Sequence, residues 1–198
     1  MKIGVLALQG AAAEHLRMLE SVGAQGVAVK SVGQLDDLDG LIIPGGESTT
    51  IGKLMKEYGF LEALRSFAAR GKAIFGTCAG LIVLAGRIEG QEGHHLGEMD
   101  MTVARNAFGR QRESFEAEVA FKGLEQPVQA VFIRAPLIRE VGPGVEALAV
   151  HGGKIVAARQ GSLLVTSFHP ELTQDASVHE YFMNMILLAD RKGDRRAS

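Results

Sequence analysis

The sequence predicts an α/β fold with a largely parallel sheet and antiparallel additions. Three patterns indicate this class. Short apolar runs alternate with stretches of helical spacing over roughly the first 90 residues, as is typical of strand–helix units with right-handed crossovers. Two of the apolar runs lead into glycine-rich turns, at 44–48 and 76–80. The second half changes to the alternation of polar and apolar residues found in half-exposed strands.

The first part of the chain predicts three strands and a helix. The apolar run at 3–8 has the pattern of a strand buried on both faces of a sheet. Apolar residues recur at helical spacing over 11–22, and Gly23 ends that helix. Strand patterns at 27–29 and 40–43 follow.

The middle of the chain predicts two helices and a second strand–turn–helix unit. Helical spacing covers 49–57 and 60–70. A buried strand at 72–76 then runs through a sharp turn into an apolar helix at 81–85.

The second half predicts mainly strands. Residues 115–121 alternate between apolar and polar side chains. Glycine turns at 151–153 and 160–161 predict hairpins. The remaining elements are strands at 128–133, 147–150, 154–159 and 162–168, and a final helix at 177–189.

Length and composition bound the domain count and disfavour some partners. The chain has 198 residues, 46% of them hydrophobic and 22% charged. This fits one domain over 1–190, followed by a frayed tail at 191–198 that has no apolar anchor. Lys and Arg number 21 and Asp and Glu number 23, which leaves a net charge of −2. We therefore expect no nucleic-acid partner.

The apolar stretches and the cysteine count also indicate the cellular compartment of the protein. We expect no signal peptide, because the N-terminal apolar run is too short and lacks a small-residue cleavage site, and no membrane span, because no apolar stretch approaches roughly 18 residues. The single cysteine, Cys78, can form no intramolecular disulfide. That agrees with a reducing compartment, and the predicted location is the cytoplasm.

Cys78 stands in the sequence Gly76-Thr77-Cys78-Ala79-Gly80, between a predicted strand and a predicted helix. This is the pattern of a nucleophile elbow with a thiol as the nucleophile. The flanking glycines remove side chains that would collide in so sharp a turn. The helix N-terminus favours a thiolate and offers N–H groups to an oxyanion. A lone cysteine is more often an inert buried side chain, but this setting favours a nucleophile.

A nucleophilic thiol needs a base, and His169 is the best placed histidine. It ends a strand pattern, and Pro170 fixes the backbone behind it. In extended geometry the carboxylate of Glu171 emerges on the same side as the imidazole. A His-Pro-Glu sequence alone is more often a capped turn, yet beside the elbow it predicts a Cys78-His169-Glu171 triad. The other histidines fall in predicted helices or polar turns: His15, His94, His95, His151 and His179.

The turn at 44–48 reads Pro-Gly-Gly-Glu-Ser. It can be a simple loop into a helix, with Ser48 as N-cap and Glu47 near the helix dipole. In open α/β sheets, however, loops at the carboxyl ends of neighbouring strands line the ligand crevice. We therefore expect this loop beside the elbow, where a glycine N–H would complete an oxyanion hole.

Together these motifs resemble the class I, triad-type glutamine amidotransferases, a family whose fold is a three-layer sandwich with helices on both faces of a mostly parallel sheet. The resemblance covers nearly the whole chain. The segments that carry it are Gly-Val-Leu-Ala-Leu-Gln-Gly at 4–10, Pro-Gly-Gly-Glu-Ser-Thr-Thr at 44–50, Phe-Gly-Thr-Cys-Ala-Gly-Leu at 75–81 and Ser-Phe-His-Pro-Glu-Leu at 167–172.

Two further segments are similar to one branch of that family, the glutaminase subunits of pyridoxal 5′-phosphate synthases. They are Arg-Asn-Ala-Phe-Gly-Arg-Gln at 105–111 with Ser-Phe-Glu at 114–116, and Phe-Ile-Arg-Ala-Pro at 132–136. One departure is His94, which stands where the family pattern leads us to expect proline.

The resemblance implies hydrolysis of L-glutamine to L-glutamate and ammonia. Cys78 would attack the carboxamide and form a glutamyl thioester. His169 would accept the thiol proton and protonate the departing ammonia, while Glu171 orients His169. Backbone N–H groups of Gly46 and Ala79 would hold the oxyanion. The residues that would bind glutamine are Gly46, Glu47, Ser48, Arg105, Ile133 and Arg134.

The resemblance also implies a partner. The ammonia would be channelled to a (β/α)8-barrel synthase subunit that makes pyridoxal 5′-phosphate, vitamin B6, from ribose 5-phosphate and glyceraldehyde 3-phosphate. Family members of this kind are typically active only when docked in that hetero-oligomer. Gln9 would lie near the interface, with a strand-end turn residue as the equal alternative. No organic cofactor is expected.

Other functions stay open on the sequence alone. A glutaminase for another acceptor pathway, such as histidine biosynthesis, would share the triad. A non-catalytic protein of the same architecture would use Cys78 to sense oxidation. A cysteine peptidase would use similar chemistry, although no feature suggests a peptide groove. No metal is expected, because His94 and His95 beside Glu92 lack a third ligand at fixed spacing.

Overall fold

The structure, a computed structural model, describes residues 1–105 and 114–197, with side chains described as far as residue 189. Most of the 105–111 motif therefore lies outside the described residues. The strands are β1 Lys2–Leu6, β2 Gln25–Val29, β3 Gly40–Ile43, β4 Ala73–Thr77, β5 Ala85–Ile88, β6 Met99–Ala104, β7 Ser114–Val119, β8 Val128–Ile133, β9 Leu137–Val141, β10 Glu146–His151, β11 Lys154–Gln160 and β12 Leu163–Thr166. The α-helices are α1 Ala12–Ser21, α2 Ser48–Glu57, α3 Phe60–Ala69, α4 Ala79–Leu84 and α5 Ser177–Ala197, and 3-10 helices cover Val32–Leu35 and Pro170–Leu172.

Within these described ranges, ten strands form one sheet in the order β2-β1-β3-β4-β12-β11-β9-β6-β5, with β10 paired to β11. The five strands from β2 to β12 in that order are parallel. Beyond them, β11, β9 and β10 add antiparallel pairs. The strands β7 and β8 form a separate antiparallel pair. The predicted α/β class with antiparallel additions is confirmed.

Both faces of the sheet are covered. Successive side chains of a strand point to opposite faces, so Leu41 and Ile43 of β3 enter one core while Ile42 enters the other. The first core packs against α2, α3 and α4, and the second against α1, α5 and the β7–β8 pair. This arrangement confirms the three-layer sandwich and explains the continuous apolar runs, since these strands have no solvent face.

The strand order places four chain segments at one edge of the sheet. It reverses between β1 and β3, and ligands of open α/β sheets bind at the carboxyl ends of strands beside such a reversal. The parallel strands β1, β3, β4 and β12 are neighbours. The segments that follow them carry Gln9, the 44–48 turn, Cys78 and His169 respectively.

Several predicted elements differ from the structure. The strands β5, β6 and β9 were not predicted, and β5 follows α4 with no intervening turn residue, so residues 79–88 look like one apolar stretch. The first strand ends at Leu6 rather than at residue 8, and α4 begins at Ala79 rather than at 81. The last helix spans Ser177–Ala197 rather than 177–189, and the expectation that 191–198 frays stays a prediction.

Two remaining points concern membrane-spanning helices and the number of domains. None of the helices in the described part is long and apolar enough to cross a membrane. The assignment of residues 1–190 to one domain stays a prediction.

Candidate active site

Cys78 occupies a strained turn between β4 and α4. Its φ of 50° is positive, which is uncommon outside glycine and often marks a functional position. The flanking glycines are required by close approach. A Cβ at Gly76 would lie 2.6 Å from the carbonyl carbon of Gly80, and one at Gly80 would lie 2.1 Å from the carbonyl oxygen of Ile43. The Cys78 N–H donates to the Thr166 carbonyl at 2.8 Å, which fixes the turn against β12.

His169 and Glu171 meet directly beside this turn. Nδ1 of His169 lies 2.7 Å from Oε1 of Glu171, and the Cys78 side chain is close enough to interact with the imidazole. The His169 N–H donates to the Val131 carbonyl at 2.8 Å, which anchors the segment to β8. Both side chains are buried, with residue exposures of 8% for His169 and 6% for Glu171. The three residues predicted as a triad therefore lie together.

The surroundings of His169 favour its charged form. Burial lowers the pKa of the imidazole, but hydrogen bonds with Cys78 and Glu171 and their negative charge outweigh burial and raise the pKa to about 10. Burial likewise raises the pKa of the Glu171 carboxyl, yet interactions with His15 and His169 bring it below its usual value. The arrangement thus supports a thiolate–imidazolium pair oriented by a carboxylate.

Two buried histidines behind Glu171 were not among the predicted site residues. Nε2 of His15 lies 3.5 Å from Oε2 of Glu171 and 3.1 Å from Oγ1 of Thr77. Nδ1 of His15 lies 2.9 Å from Nε2 of His179. Both histidines had been placed correctly in helices. Helical spacing could have indicated that His15 is buried, since it lies between Ala12 and Leu19 on the apolar face of α1.

The glycine turn after β3 is held from the segment after β1. The Glu47 N–H donates to Oε1 of Gln9 at 2.9 Å, and the Ala11 N–H donates to the Gly45 carbonyl at 3.1 Å. Within the described ranges, the N–H groups of Gly46 and Ala79 donate to no protein acceptor. They are the two groups that the resemblance assigned to an oxyanion.

Glu47, rather than Ser48, is the N-cap of α2. Its carboxylate accepts hydrogen bonds from the Thr49 and Thr50 N–H groups, at 2.9 and 2.7 Å, and from the Thr50 hydroxyl at 2.7 Å. These bonds, that of the Thr50 hydroxyl above all, lower the pKa of Glu47 to about 2. Ser48 is the first helical residue and is buried. The interpretation of Ser48 as N-cap was wrong, because the longer Glu47 side chain reaches two backbone donors.

A cavity of about 550 Å³ opens onto the thiol. Its volume is within the usual range for small-molecule sites. It is lined by Cys78, Ala79, His169 and Gln9, and also by every residue predicted to bind glutamine: Gly46, Glu47, Ser48, Arg105, Ile133 and Arg134.

Two arginines, Arg105 and Arg134, are among the residues that line the cavity, and guanidinium groups are well suited to binding a carboxylate. Arg105 donates to Oε1 of Gln91 at 2.9 Å and to the Thr49 hydroxyl at 3.3 Å. These two bonds hold its guanidinium group beside the first turn of α2. Arg134 follows β8 in a left-handed conformation with a φ of 43°. Such strain in a non-glycine residue is typical of functional positions. Among residues 1–105 and 114–189, no cluster of His, Cys, Asp or Glu could hold a metal ion.

Comparisons of sequence and of structure with known proteins all find similarity to glutamine amidotransferases. The SNO glutamine amidotransferase family matches residues 5–188. Pyridoxal 5′-phosphate synthase subunit PdxT of Niallia circulans is 68% identical over 186 residues, covering 94% of this chain and 98% of the relative. The PdxT of Brevibacillus brevis is 63% identical over 188 residues, covering 94% and 97%. A solved structure described as a glutamine amidotransferase has a TM-score of 0.90 at 49% identity, covering 93% of this chain and 98% of its own.

Proposed function

The chain belongs to the SNO glutamine amidotransferase family, and from this premise we propose that it is the glutaminase subunit of a pyridoxal 5′-phosphate synthase. It hydrolyses L-glutamine to L-glutamate and ammonia. The observation that carries the proposal is the contact of His169 with both Cys78 and Glu171 at the wall of a cavity that also holds Arg105 and Arg134.

The triad supplies the nucleophile and the proton transfers. Because Nδ1 of His169 faces Glu171, Nε2 is the nitrogen left to accept the proton of the Cys78 thiol. The thiolate attacks the carboxamide carbon of glutamine, and a C–S bond forms. The imidazolium of His169 then protonates the amide nitrogen, the C–N bond breaks, and ammonia leaves a glutamyl thioester. The now neutral His169 takes a proton from water as the water oxygen attacks the thioester, the C–S bond breaks, and glutamate departs, which leaves the Cys78 thiolate and the His169 imidazolium ready for the next turnover.

Two backbone groups stabilise the charge that develops on the substrate oxygen. Gly46 and Ala79 both line the cavity beside Cys78, and their N–H groups have no protein acceptor among the described residues. Donors of this kind contribute most at the tetrahedral intermediate, where the oxygen carries a full charge. The guanidinium groups of Arg105 and Arg134 bind the substrate carboxylate.

The ammonia passes to a separate synthase subunit. The relatives are named as subunits of pyridoxal 5′-phosphate synthase, which supports such a partner. We propose that the partner is the (β/α)8 barrel that consumes ribose 5-phosphate and glyceraldehyde 3-phosphate, and that docking in a hetero-oligomer raises the glutaminase rate. The cytoplasmic location predicted from the single cysteine is part of the same proposal.

The test is glutamate release from glutamine, by the full chain alone and together with a pyridoxal phosphate synthase barrel subunit. We expect release to rise sharply in the presence of the barrel. Cys78→Ala should abolish release while still forming the complex, as measured by size-exclusion chromatography. Release by Cys78→Ala would contradict the assignment of the nucleophile.

A parallel arm separates the alternatives. The same assay with the barrel subunit of a histidine-biosynthesis amidotransferase should give no increase. An increase only in that arm would favour the other acceptor pathway, and no release in any arm would favour a non-catalytic role.

A further inference from the structure

The triad leaves one buried pair of titratable groups unexplained. His15 on α1 and His179 on α5 are both fully buried, and their ring nitrogens lie 2.9 Å apart. Burying a histidine is costly unless its nitrogens find partners. One of these two rings contacts the triad, since Nε2 of His15 faces the outer oxygen of Glu171.

Only one arrangement of protons fits these contacts. The Glu171 carboxylate accepts hydrogen bonds and donates none, so the His15 nitrogen that faces it must carry the hydrogen. Nδ1 of neutral His15 is then an acceptor, and Nε2 of His179 must donate to it. This leaves Nδ1 of His179 without hydrogen, in agreement with its lack of a partner in the described structure.

The opposite arrangement is much less favourable. If Nδ1 of His15 carried the hydrogen, a nitrogen lone pair would face the Glu171 carboxylate at 3.5 Å. His179 would then hold a buried N–H with no acceptor at Nδ1. The Thr77 hydroxyl, 3.1 Å from Nε2 of His15, can donate to that lone pair, but the repulsion from the Glu171 carboxylate and the unpaired N–H of His179 remain.

We propose that His15 is a positioning residue for the glutaminase reaction: its Nε2–H, which bonds to Oγ1 of Thr77, also faces the outer oxygen of Glu171 at 3.5 Å and stabilises the carboxylate electrostatically, and His179 fixes the tautomer that makes this possible. The inference rests on the proposed function, since it assigns His15 a part in orienting the triad. The sequence of contacts runs from His179 through His15, Glu171 and His169 to Cys78. Oε2 of Glu171 is buried without a hydrogen-bond partner in the described structure, so the Nε2–H of His15 at 3.5 Å is the dipole that offsets its charge.

The groups around His15 agree with a neutral ring. Glu171 and His169 face it from the segment after β12, His179 from α5 and Thr77 from β4, and Glu14 neighbours it on α1. Burial lowers the pKa of His15, and this outweighs the opposing charge of Glu171. Burial also lowers the pKa of His179, to about 3.

The test compares two substitutions of His15 in the complex with the synthase subunit. His15→Leu removes the donor, whereas His15→Gln keeps an N–H close to the position of Nε2. We expect His15→Leu to lower kcat for glutamine hydrolysis about 10- to 100-fold with KM changed less than about threefold, as is usual when an orienting partner is lost. His15→Gln should recover most of that loss.

A matched control separates orientation from packing. Leu19 is a fully buried core residue on the same helix as His15. Leu19→Ala should lower Tm yet keep kcat within about twofold of wild type at temperatures where it is folded. If His15→Leu keeps kcat within twofold, or if His15→Gln is as impaired as His15→Leu, His15 is not a positioning residue.

A second readout does not depend on glutamine hydrolysis. The pH dependence of Cys78 alkylation by iodoacetamide reports the thiolate–imidazolium pair directly. Loss of the His15 N–H dipole beside Glu171 should loosen the carboxylate that orients the His169 imidazolium, and so move the acid limb of that profile up by about one pH unit in His15→Leu, and less in His15→Gln. A wild-type chain that is alkylated but hydrolyses no glutamine would refute the proposed function alone. An unchanged alkylation profile in His15→Leu would refute the role of His15.

Discussion

Gly45 forms one wall of the slot that holds the His169 imidazole. A Cβ at position 45 would lie 2.4 Å from Cε1 and 3.1 Å from Nδ1 of His169. The glycine cannot simply retreat, because its carbonyl accepts a hydrogen bond from the Ala11 N–H at 3.1 Å. The turn after β3 therefore constrains the orientation of the base that follows β12.

Gly45→Ala should displace the imidazole from its alignment with Cys78 and Glu171. A shift of about 1 Å in a catalytic group can cost roughly 100-fold in rate, so we expect glutaminase activity to fall at least about 100-fold. Folding should survive, since overpacking of this size costs about 1–3 kcal/mol. Glutamate release and thermal unfolding measure the two effects.

Gly33→Ala is the matched control for Gly45→Ala. A Cβ at Gly33 would meet no atom within 4 Å, and its φ is not positive. The control should therefore keep wild-type activity. Near-normal activity in Gly45→Ala would show that the turn yields and does not constrain His169.

Gln9 is predicted to orient the oxyanion turn, whether or not it also contacts the partner. Its Oε1 accepts from the Glu47 N–H, next to the Gly46 N–H assigned to the oxyanion. Gln9→Met removes that acceptor at similar size, and we expect kcat to fall about tenfold, less than the loss of an oxyanion donor itself. Steady-state kinetics in the complex measure kcat, and a separate titration with the barrel subunit measures docking.

Gln34 offers a control for this substitution. Its Oε1 also accepts backbone N–H groups, from Lys30 and Ser31 at 2.8 and 3.0 Å, in a segment that does not line the cavity. Gln34→Met should leave kcat unchanged. Weakened docking with unchanged kcat in Gln9→Met would restrict Gln9 to an interface role.

The parts of the site that could be predicted from sequence are those set by local chain geometry. The elbow at Cys78 could be predicted because glycines stand two residues before and two residues after it, between a strand pattern and a helix pattern. His169 and Glu171 could be paired because they are only two residues apart. The carboxyl ends of parallel strands converge by topology, so the 44–48 turn could be placed beside the elbow before any coordinates.

The parts that escaped prediction depend on contacts between distant segments. His15 and His179 are 164 residues apart, and nothing local pairs them. Their apolar-face spacing indicates burial but not a partner. The strand β5 was not predicted, because its four residues follow α4 directly and are too few to show the alternation that identifies a strand.

Glu171→Gln should impair the enzyme less than loss of His169. The amide oxygen of glutamine can still accept from Nδ1 of His169, so orientation is partly retained while the negative charge is lost. We expect a loss of about 10- to 100-fold in kcat for Glu171→Gln, and about 1,000-fold or more for His169→Asn, which removes proton transfer itself. Single-turnover glutamate release measures both. Equal losses in the two variants would mean that the charge of Glu171 is as important as the base.

Stability should fall on the alkaline side because of His169. Its pKa rises from 6.5 to about 10 on folding, since hydrogen bonds with Cys78 and Glu171 outweigh burial. The folded state therefore holds the proton more tightly than the unfolded chain. This contribution is fully present below pH 6.5 and is lost as the pH rises through about 10.

Urea denaturation between pH 6 and pH 10.5 measures this effect as a difference between wild type and His169→Asn. Lysine and tyrosine groups also titrate near the upper end, but they are common to both proteins and cancel. We expect the gap in the free energy of unfolding to shrink steadily with rising pH. Cys78→Ala, which removes one of the two partners of the imidazole, should show a weaker alkaline decline than wild type. A gap between wild type and His169→Asn that stays constant with pH would contradict a protonated His169 in the folded protein, and with it the thiolate–imidazolium pair.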